Sequence, residues 1–253
     1  MKKIILMLMA VLLFAGFTGV YANHIPVLLY HDVQQQYEPD RAVITITPER
    51  FEEHIVTLLN NGYTPVSFED IYNASQGNFV MPEKPVVISF DDGYDTNYNY
   101  AFPIIKNYGV KTTIFVVVRT VGQVVGGNGH FTWEQAREMQ QSGLVSIRSH
   151  TYSHYDLQTL DEFSVLRELR LSKYLLEKNL GTGCDILAFP FGSCNDKIVD
   201  LAHKAGYKVV AQVGETGKNT LNDVDENPLV RVTVYGSWTG EELITMMNEL
   251  SKQ

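Results

Sequence analysis

At residues 86–93 the chain reads Val86-Val87-Ile88-Ser89-Phe90-Asp91-Asp92-Gly93. The first five residues are mostly β-branched or aromatic, and a short apolar run of this kind predicts a buried strand. Two carboxylates and a glycine follow at once, so the strand is expected to end in a polar turn. Reactive groups at the carboxyl end of a buried strand are typical of parallel α/β folds, whose active sites lie at that end.

Six further apolar runs predict strands of the same kind. They are Ile25–Tyr30, Thr112–Val118, Val145–Ile147, Ile186–Phe189, Tyr207–Val213 and Leu229–Val234. Helical patterns lie between many of them, with N-terminal signals at Thr47, Thr132, Asp161, Asn195 and Thr239. This alternation predicts an α/β fold of about seven units, a distorted or incomplete (β/α) barrel in a single domain. A doubly wound open sheet is the alternative, although no glycine-rich nucleotide fingerprint follows the first strand.

The N-terminus has the pattern of an export signal. Lys2 and Lys3 precede an apolar stretch at residues 4–17, and Val20-Tyr21-Ala22 loosely fits a small-x-small cleavage site. We therefore expect a signal peptide at residues 1–22 and a mature domain at residues 23–253, secreted or associated with the cell envelope, with no membrane span. An uncleaved anchor is the alternative, but the apolar stretch is shorter than the roughly 20 residues that a span requires.

The composition is that of a folded acidic protein. Of the 253 residues, 45% are hydrophobic and 19% are charged, which is typical of a globular domain. The net charge of -9 and the absence of basic runs argue against a nucleic-acid partner. Export would permit a disulfide between Cys184 and Cys194, but two unpaired cysteines are an equally good interpretation.

Polar side chains stand just after several of the predicted strands. They are His31, the pair Asp91-Asp92, the pair His150 and His154, and the Pro190-Phe191-Gly192 turn. The carboxyl ends of the strands in a parallel barrel converge on one mouth. We therefore expect these groups to lie together at one site.

The histidines and carboxylates among them have the spacing of a metal site. His150 and His154 are four residues apart, which on a helical turn places both imidazoles on one face. Adding Asp92 gives two histidines and one carboxylate, with positions left for water and substrate, while Asp91 stays free as a base. Such ligands suit zinc, although cobalt, nickel or manganese would also fit. Taken singly, each motif has an alternative to the metal site: Asp91-Asp92-Gly93 could be an ordinary turn, and the two histidines could occur by chance. The lack of His-Glu-x-x-His disfavours a metallopeptidase.

These motifs together resemble the polysaccharide deacetylase family, carbohydrate esterase family four, also called the NodB-homology domain. The residues that carry the resemblance are Ser89-Phe90-Asp91-Asp92-Gly93-Tyr94, Ser149-His150-Thr151-Tyr152-Ser153-His154 and Ala188-Phe189-Pro190-Phe191-Gly192. The opening Ile25-Pro26-Val27-Leu28-Leu29-Tyr30-His31 is similar to the branch that acts on poly-N-acetylglucosamine. The resemblance covers residues 25–234 and implies a distorted (β/α) barrel.

The resemblance also implies a role for each site residue. Asp91 would be the general base, and Asp92, His150 and His154 would hold the metal. The backbone N–H of Phe191 would stabilise the oxyanion. The resemblance to the poly-N-acetylglucosamine branch implies that His31 is the general acid that protonates the leaving amine, a part that a late histidine plays elsewhere in the family. The lack of any histidine after His203 supports this assignment. A strand-end histidine that only hydrogen-bonds the rim is the alternative for His31.

The chain departs from the family pattern at two places. Ala188 stands where the family often has an arginine that orients the catalytic aspartate, and the acid-and-tryptophan form of a later motif is absent. Arg231 could orient Asp91 instead, or it could be a solvated surface arginine. Arg148, just before the metal motif, could bind an anionic group or form a salt bridge.

The expected activity is metal-dependent removal of N-acetyl groups from an amino-sugar polysaccharide similar to poly-N-acetylglucosamine. A peptidoglycan or chitin deacetylase and an O-acetyl esterase would use the same groups, so these alternatives stay open. A carbohydrate-binding protein with a degenerate site is a further alternative, disfavoured by the four intact residues. The polymer linkage and the oligomeric state are left open by the sequence.

Overall fold

The structure is a computed structural model that describes residues 24–250 except 37, 216–218, 223, 225 and 226. The expected signal peptide at residues 1–22 lies outside the described residues. No helix in the described part of the chain is long and apolar enough to cross a membrane.

The described chain forms twelve strands and seven α-helices. The strands are β1 Val27–Tyr30, β2 Asp32–Val33, β3 Thr45–Ile46, β4 Thr64–Val66, β5 Pro85–Phe90, β6 Thr112–Val116, β7 Val124–Val125, β8 Asn128–Gly129, β9 Val145–Ser149, β10 Ile186–Ala188, β11 Val209–Val213 and β12 Leu229–Thr233. The helices are α1 Pro48–Asn60, α2 Phe68–Ser75, α3 Phe102–Tyr108, α4 Trp133–Gln141, α5 Glu162–Leu180, α6 Asp196–Lys204 and α7 Gly240–Leu250. A π-helical turn at Asn97–Ala101 precedes α3, and Pro190–Gly192 forms a 3₁₀ turn.

Seven parallel strands close into a barrel in the order β1-β12-β11-β10-β9-β6-β5. The closing pair is β1 with β5, in which Leu28 lies opposite Ile88. This closure confirms the predicted (β/α) barrel and excludes the open doubly wound sheet. All seven predicted strands form it, with ends that differ from the prediction by up to two residues.

Three elements of the sheet edge and its helices were not predicted. Strand β4 pairs with the N-terminal half of β5 and contains Pro65, which is typical of an edge strand. Helices α2 and α3 have eight and seven residues, too short for a clear amphipathic repeat. Two short ladders, β2–β3 and β7–β8, were also missed because each strand has only two residues.

The alternation of side chains along the barrel strands separates two apolar layers. One layer lies between the barrel wall and the surrounding helices, where Ile88 and Ile147 pack with Leu169 of α5. The other lies inside the barrel, where Val87 and Phe115 pack with residues of α2. The barrel is therefore a filled core and not a channel.

Helix α2 closes the N-terminal end of the barrel. Asp70 forms an ion pair with Lys111, which stands just before β6, and the ring of Tyr72 lies under Lys208, just before β11. Inside the barrel, Glu69 forms an ion pair with Arg148, which selects the salt-bridge interpretation of that arginine. The opposite, C-terminal end is left open for the site.

The two cysteines are unpaired in the structure. Cys184 is buried, and burial raises the pKa of its thiol to about 12. Cys194 lies at 3.2 Å from Oε1 of Gln212, to which its thiol donates a hydrogen bond. Of the two interpretations of this pair, the structure has the one without a disulfide.

Candidate active site

Because all barrel strands are parallel, the segments that follow them meet at one end of the barrel. His31 directly follows β1, Asp91 and Asp92 follow β5, and His150 follows β9. The turn that contains Phe191 follows β10. The site residues that were predicted to follow strands therefore all lie at the C-terminal mouth of the barrel.

Asp92, His150 and His154 form a group of three that could hold a metal ion, with one ligand atom of each lying within 4.8 Å of the others. Oδ1 of Asp92 is 3.9 Å from Nε2 of His150 and 3.5 Å from Nε2 of His154. The Nδ1 atom of His150 donates to the carbonyl of Ala188 at 2.8 Å, so that its Nε2 keeps a lone pair for a ligand bond. Burial lowers the pKa of His150, which favours the neutral, ligating form. Two imidazoles and one carboxylate in this state are donors that fit a divalent transition metal.

The segment from His150 to His154 is a loop and not the helical turn expected from its spacing. Thr151 and His154 have φ angles of 65° and 61°, in the left-handed region. Asp92 and Phe191 share this conformation at 70° and 59°. In the described part of the chain these four are the non-glycine residues with positive φ, and all lie at the mouth. Backbone strain concentrated at one site is typical of a functional constellation that surrounding contacts hold in place.

Asp91 is held by Arg231. The guanidinium donates two hydrogen bonds to the carboxylate, at 2.6 Å from Nη1 to Oδ1 and 2.8 Å from Nη2 to Oδ2. Arg231 is 0% exposed, which excludes the solvated-surface interpretation. Inside the barrel its guanidinium also lies 5.0 Å from the ring centre of Phe115.

The electrostatic environment keeps Asp91 ionised. Burial alone would raise the pKa of this carboxyl, but the charge and hydrogen bonds of Arg231, together with His150 and His31, hold it well below its usual range. Oδ2 of Asp91 is also 3.5 Å from Nε2 of His150. A carboxylate that is charged, oriented and adjacent to the ligand set is able to accept a proton there.

His31 is half-buried at the end of β1, beside this carboxylate. Its backbone carbonyl accepts a hydrogen bond of 2.7 Å from Nδ2 of Asn97. Its Nδ1 atom is buried and has no hydrogen-bond partner among the described protein atoms. The bond from Asn97 therefore anchors the backbone of His31, while the ring makes no hydrogen bond through Nδ1 to the described protein atoms.

Phe191 packs against His154 of the ligand set. The residue is 68% exposed, and its ring centre is 4.6 Å from that of His154. The turn requires Gly192, at which φ is 65° and an added Cβ would lie 2.5 Å from the backbone nitrogen of Val213. This tight approach to β11 fixes the backbone of Phe191 at the rim.

Residues 149–154, which include His150 and His154, are called the ligand loop below. Two buried side chains of α5 contact this loop and were not singled out from the sequence. Glu168 accepts a hydrogen bond from the backbone of Ser153, and Ser172 contacts Ser149. The available signal was a glutamate at a position where the helical repeat places apolar residues, next to Leu169.

Comparisons with known proteins agree with this geometry. A sequence model of the family described as "Polysaccharide deacetylase" matches residues 80–210. The Bacillus subtilis protein YxkH, which is named for the same family, is 31% identical over 220 residues, covering 85% of this chain and 75% of the relative. Poly-beta-1,6-N-acetyl-D-glucosamine N-deacetylase of Escherichia coli (strain K12) is 26% identical over 83% of this chain, which spans only 37% of that longer protein. Among solved structures, the Streptococcus pyogenes deacetylase PplD in complex with acetate has a TM-score of 0.78 and 28% identity, covering 88% of this chain and 98% of the other.

Proposed function

The chain belongs to the polysaccharide deacetylase family, and on that premise we propose that it removes N-acetyl groups from an amino-sugar polymer similar to poly-N-acetylglucosamine. The observation that carries the proposal is the group Asp92, His150 and His154 beside a charged Asp91 at the mouth of the barrel. The resemblance of residues 25–31 to the poly-N-acetylglucosamine branch and the likeness to the Escherichia coli deacetylase support this choice of polymer.

In the proposed reaction, Asp92, His150 and His154 hold a divalent metal, for which zinc is our first choice. When bound, the metal supplies Lewis acidity that polarises the acetamide carbonyl and lowers the pKa of the attacking water. Asp91 accepts the proton of that water, and Arg231 keeps the carboxylate charged and correctly turned.

The remaining two groups act on the acetamide. The backbone N–H of Phe191 donates to the oxygen on which negative charge develops as the water attacks. His31 donates a proton to the nitrogen as the C–N bond breaks, so that acetate and a free amine leave the site. In the sugar polymer the amine stays on the ring carbon that carried the acetamide.

The test is acetate release by the purified protein supplied with zinc. Poly-β-1,6-N-acetylglucosamine, chitin oligomers, peptidoglycan and acetylated xylan serve as substrates, and the Asp91→Asn variant is run beside the wild type. We expect acetate from the first polymer, with activity in the variant lower by about 10³-fold or more, because the base is lost. Release from chitin or peptidoglycan alone would move the substrate within the family, and release from xylan alone would make the protein an O-acetyl esterase.

Zinc binding provides the complementary measurement. If zinc binds to the wild type but no substrate releases acetate, a carbohydrate-binding protein becomes the better interpretation. If the protein does not bind zinc or another divalent transition metal, the proposed mechanism is wrong at its first step.

A further inference from the structure

Helix α5 carries a buried carboxylate that the proposed mechanism does not use. Glu168 is 3% exposed, although it lies on a face whose other members include Val165 and Leu169. Its Oε2 accepts a hydrogen bond of 2.7 Å from the backbone N–H of Ser153. A buried charge is costly unless it has a partner, so this bond accounts for the position of the side chain.

Ser153 lies inside the ligand loop, one residue before His154. The loop contains two local hydrogen bonds, from the N–H of His154 to Oγ1 of Thr151 at 3.1 Å and from the N–H of Thr151 to Oγ of Ser149 at 3.2 Å. Both bonds join residues within the segment 149–154 and therefore do not anchor it to another element. The bond to Glu168 is the contact that ties the middle of this loop to a long helix.

The same helix contacts the start of the loop. Oγ of Ser172 is 2.7 Å from Oγ of Ser149, and the hydroxyl of Tyr207 donates to the same Ser149 oxygen at 2.9 Å. Glu168 and Ser172 are four residues apart, so both face the loop from one side of the helix. On the other side, backbone N–H groups of Val118 and Arg119 donate to carbonyls of the loop.

We propose that Glu168 is a positioning residue that pre-forms the ligand loop, so that its hydrogen bond to Ser153 sets the affinity for the metal. The inference rests on the proposed ligand set of Asp92, His150 and His154. His154 is the more exposed of the two histidine ligands. Its backbone is left-handed, a conformation that relaxes unless neighbouring contacts fix it. A ligand that must be reordered on binding lowers the affinity by the free energy of that ordering.

Two conservative variants separate the hydrogen bond from the charge. Glu168→Gln removes the charge but keeps an oxygen at the same reach, whereas Glu168→Asp keeps the charge but withdraws the carboxylate by one methylene. We measure the zinc dissociation constant of the metal-free protein by competition with a chromophoric chelator. Glu168→Asp should bind zinc about tenfold more weakly, the usual scale for losing a group that orients a ligand, and Glu168→Gln should stay within about threefold of the wild type.

Glu162→Asp is the matched control, because Glu162 is an exposed glutamate on the same helix. It should leave the zinc affinity unchanged. Thermal unfolding of each metal-free variant is followed in parallel, so that a loss of fold is distinguished from a loss of ligand geometry.

The outcomes are distinct. Equal zinc affinity in Glu168→Asp and the wild type would overturn the positioning role, even if the variant were less stable. Equal losses in the Gln and Asp variants would also overturn it, since a variant that keeps the hydrogen-bond acceptor in place would then bind zinc no better than one that withdraws it. Failure of the wild type itself to bind zinc would refute the metal site, which is a separate result.

Discussion

At the scale of single residues, the site depends on one buried pair of opposite charges. Asp91 and Arg231 come from positions 140 residues apart and meet through two hydrogen bonds in the barrel interior. Neither charge has access to bulk solvent, so each depends on the other for its stability. The pair therefore serves the proposed chemistry and also constrains how β12 sits beside the site.

Arg231→Met removes one charge of this pair and keeps an apolar chain of similar length. The variant should lose about 3–5 kcal/mol of unfolding free energy, because the Asp91 carboxylate is left buried without its partner. Urea denaturation of the metal-free protein measures this loss.

A double-mutant cycle with Asp91→Asn serves as the control. The double variant should cost clearly less than the sum of the two single variants, because it leaves no unpaired charge behind. Additive costs would mean that the two groups do not interact in solution as they do in the structure.

The residues of the site differ in how far sequence could predict them. Asp92, His150 and His154 occur in two compact motifs placed after predicted strands, so barrel topology predicts that they meet at one end. The left-handed backbone that sets their mutual geometry was not predictable from the spacing. The pairing of Arg231 with Asp91 was one of two interpretations of the sequence, and the choice between them needed the register of the closed barrel, which no local pattern specifies. The burial of Glu168 against the ligand loop depends in the same way on how α5 docks.

At the scale of elements, α2 shows what local patterns miss. Its capping box is present, since Ser67 and Asp70 exchange side-chain and backbone hydrogen bonds. Yet the helix has only eight residues and follows an edge strand, so its apolar positions are too few to establish a helical period. The seven barrel strands, in contrast, were predictable because each is an apolar run bounded by polar or turn residues.

The packing of α2 leads to a prediction about the barrel interior. Phe68 is fully buried and packs edge to face on Phe115 at 5.2 Å, and Phe115 in turn lies beneath Arg231. Phe68→Ala should therefore lose about 3–5 kcal/mol of unfolding free energy, as expected for truncating a buried aromatic ring. Thermal or urea unfolding measures the effect.

Phe163→Ala provides the matched control, because Phe163 on α5 is 77% exposed. It should change the unfolding free energy by less than about 0.5 kcal/mol. If the two alanine variants were equally stable, α2 would not fill the barrel end in solution.

At the scale of the whole molecule, the described part of the chain closes by bringing its N-terminal and C-terminal elements together. Strand β1 pairs with β12, and α1 packs against α7. His54 of α1 is fully buried in the seam that it forms with Tyr30 of β1 and Trp238 before α7. Its Nδ1 accepts from the hydroxyl of Tyr30 at 3.1 Å, and its Nε2 donates to the carbonyl of Trp238 at 2.8 Å. Both ring nitrogens are thus used in the neutral state.

Closure through a neutral histidine makes the stability of the fold depend on pH. Burial lowers the pKa of His54 from its usual value of 6.5, so below that pH the unfolded chain binds a proton that the folded protein does not. The unfolding free energy should therefore fall as the pH drops through this window, with each such group adding up to about 1.4 kcal/mol per pH unit. His150 shifts in the same direction in the metal-free protein and adds to the slope.

His54→Leu separates the two contributions. The variant should be less stable near pH 8, because Tyr30 and Trp238 lose their buried partner, but its stability should fall less steeply between pH 7 and pH 5 than that of the wild type. Urea unfolding of metal-free protein across this pH range measures both effects. If the unfolding free energy of the variant changed with pH as steeply as that of the wild type, other groups would be responsible for the acid sensitivity. The seam would then contribute to stability only through its packing.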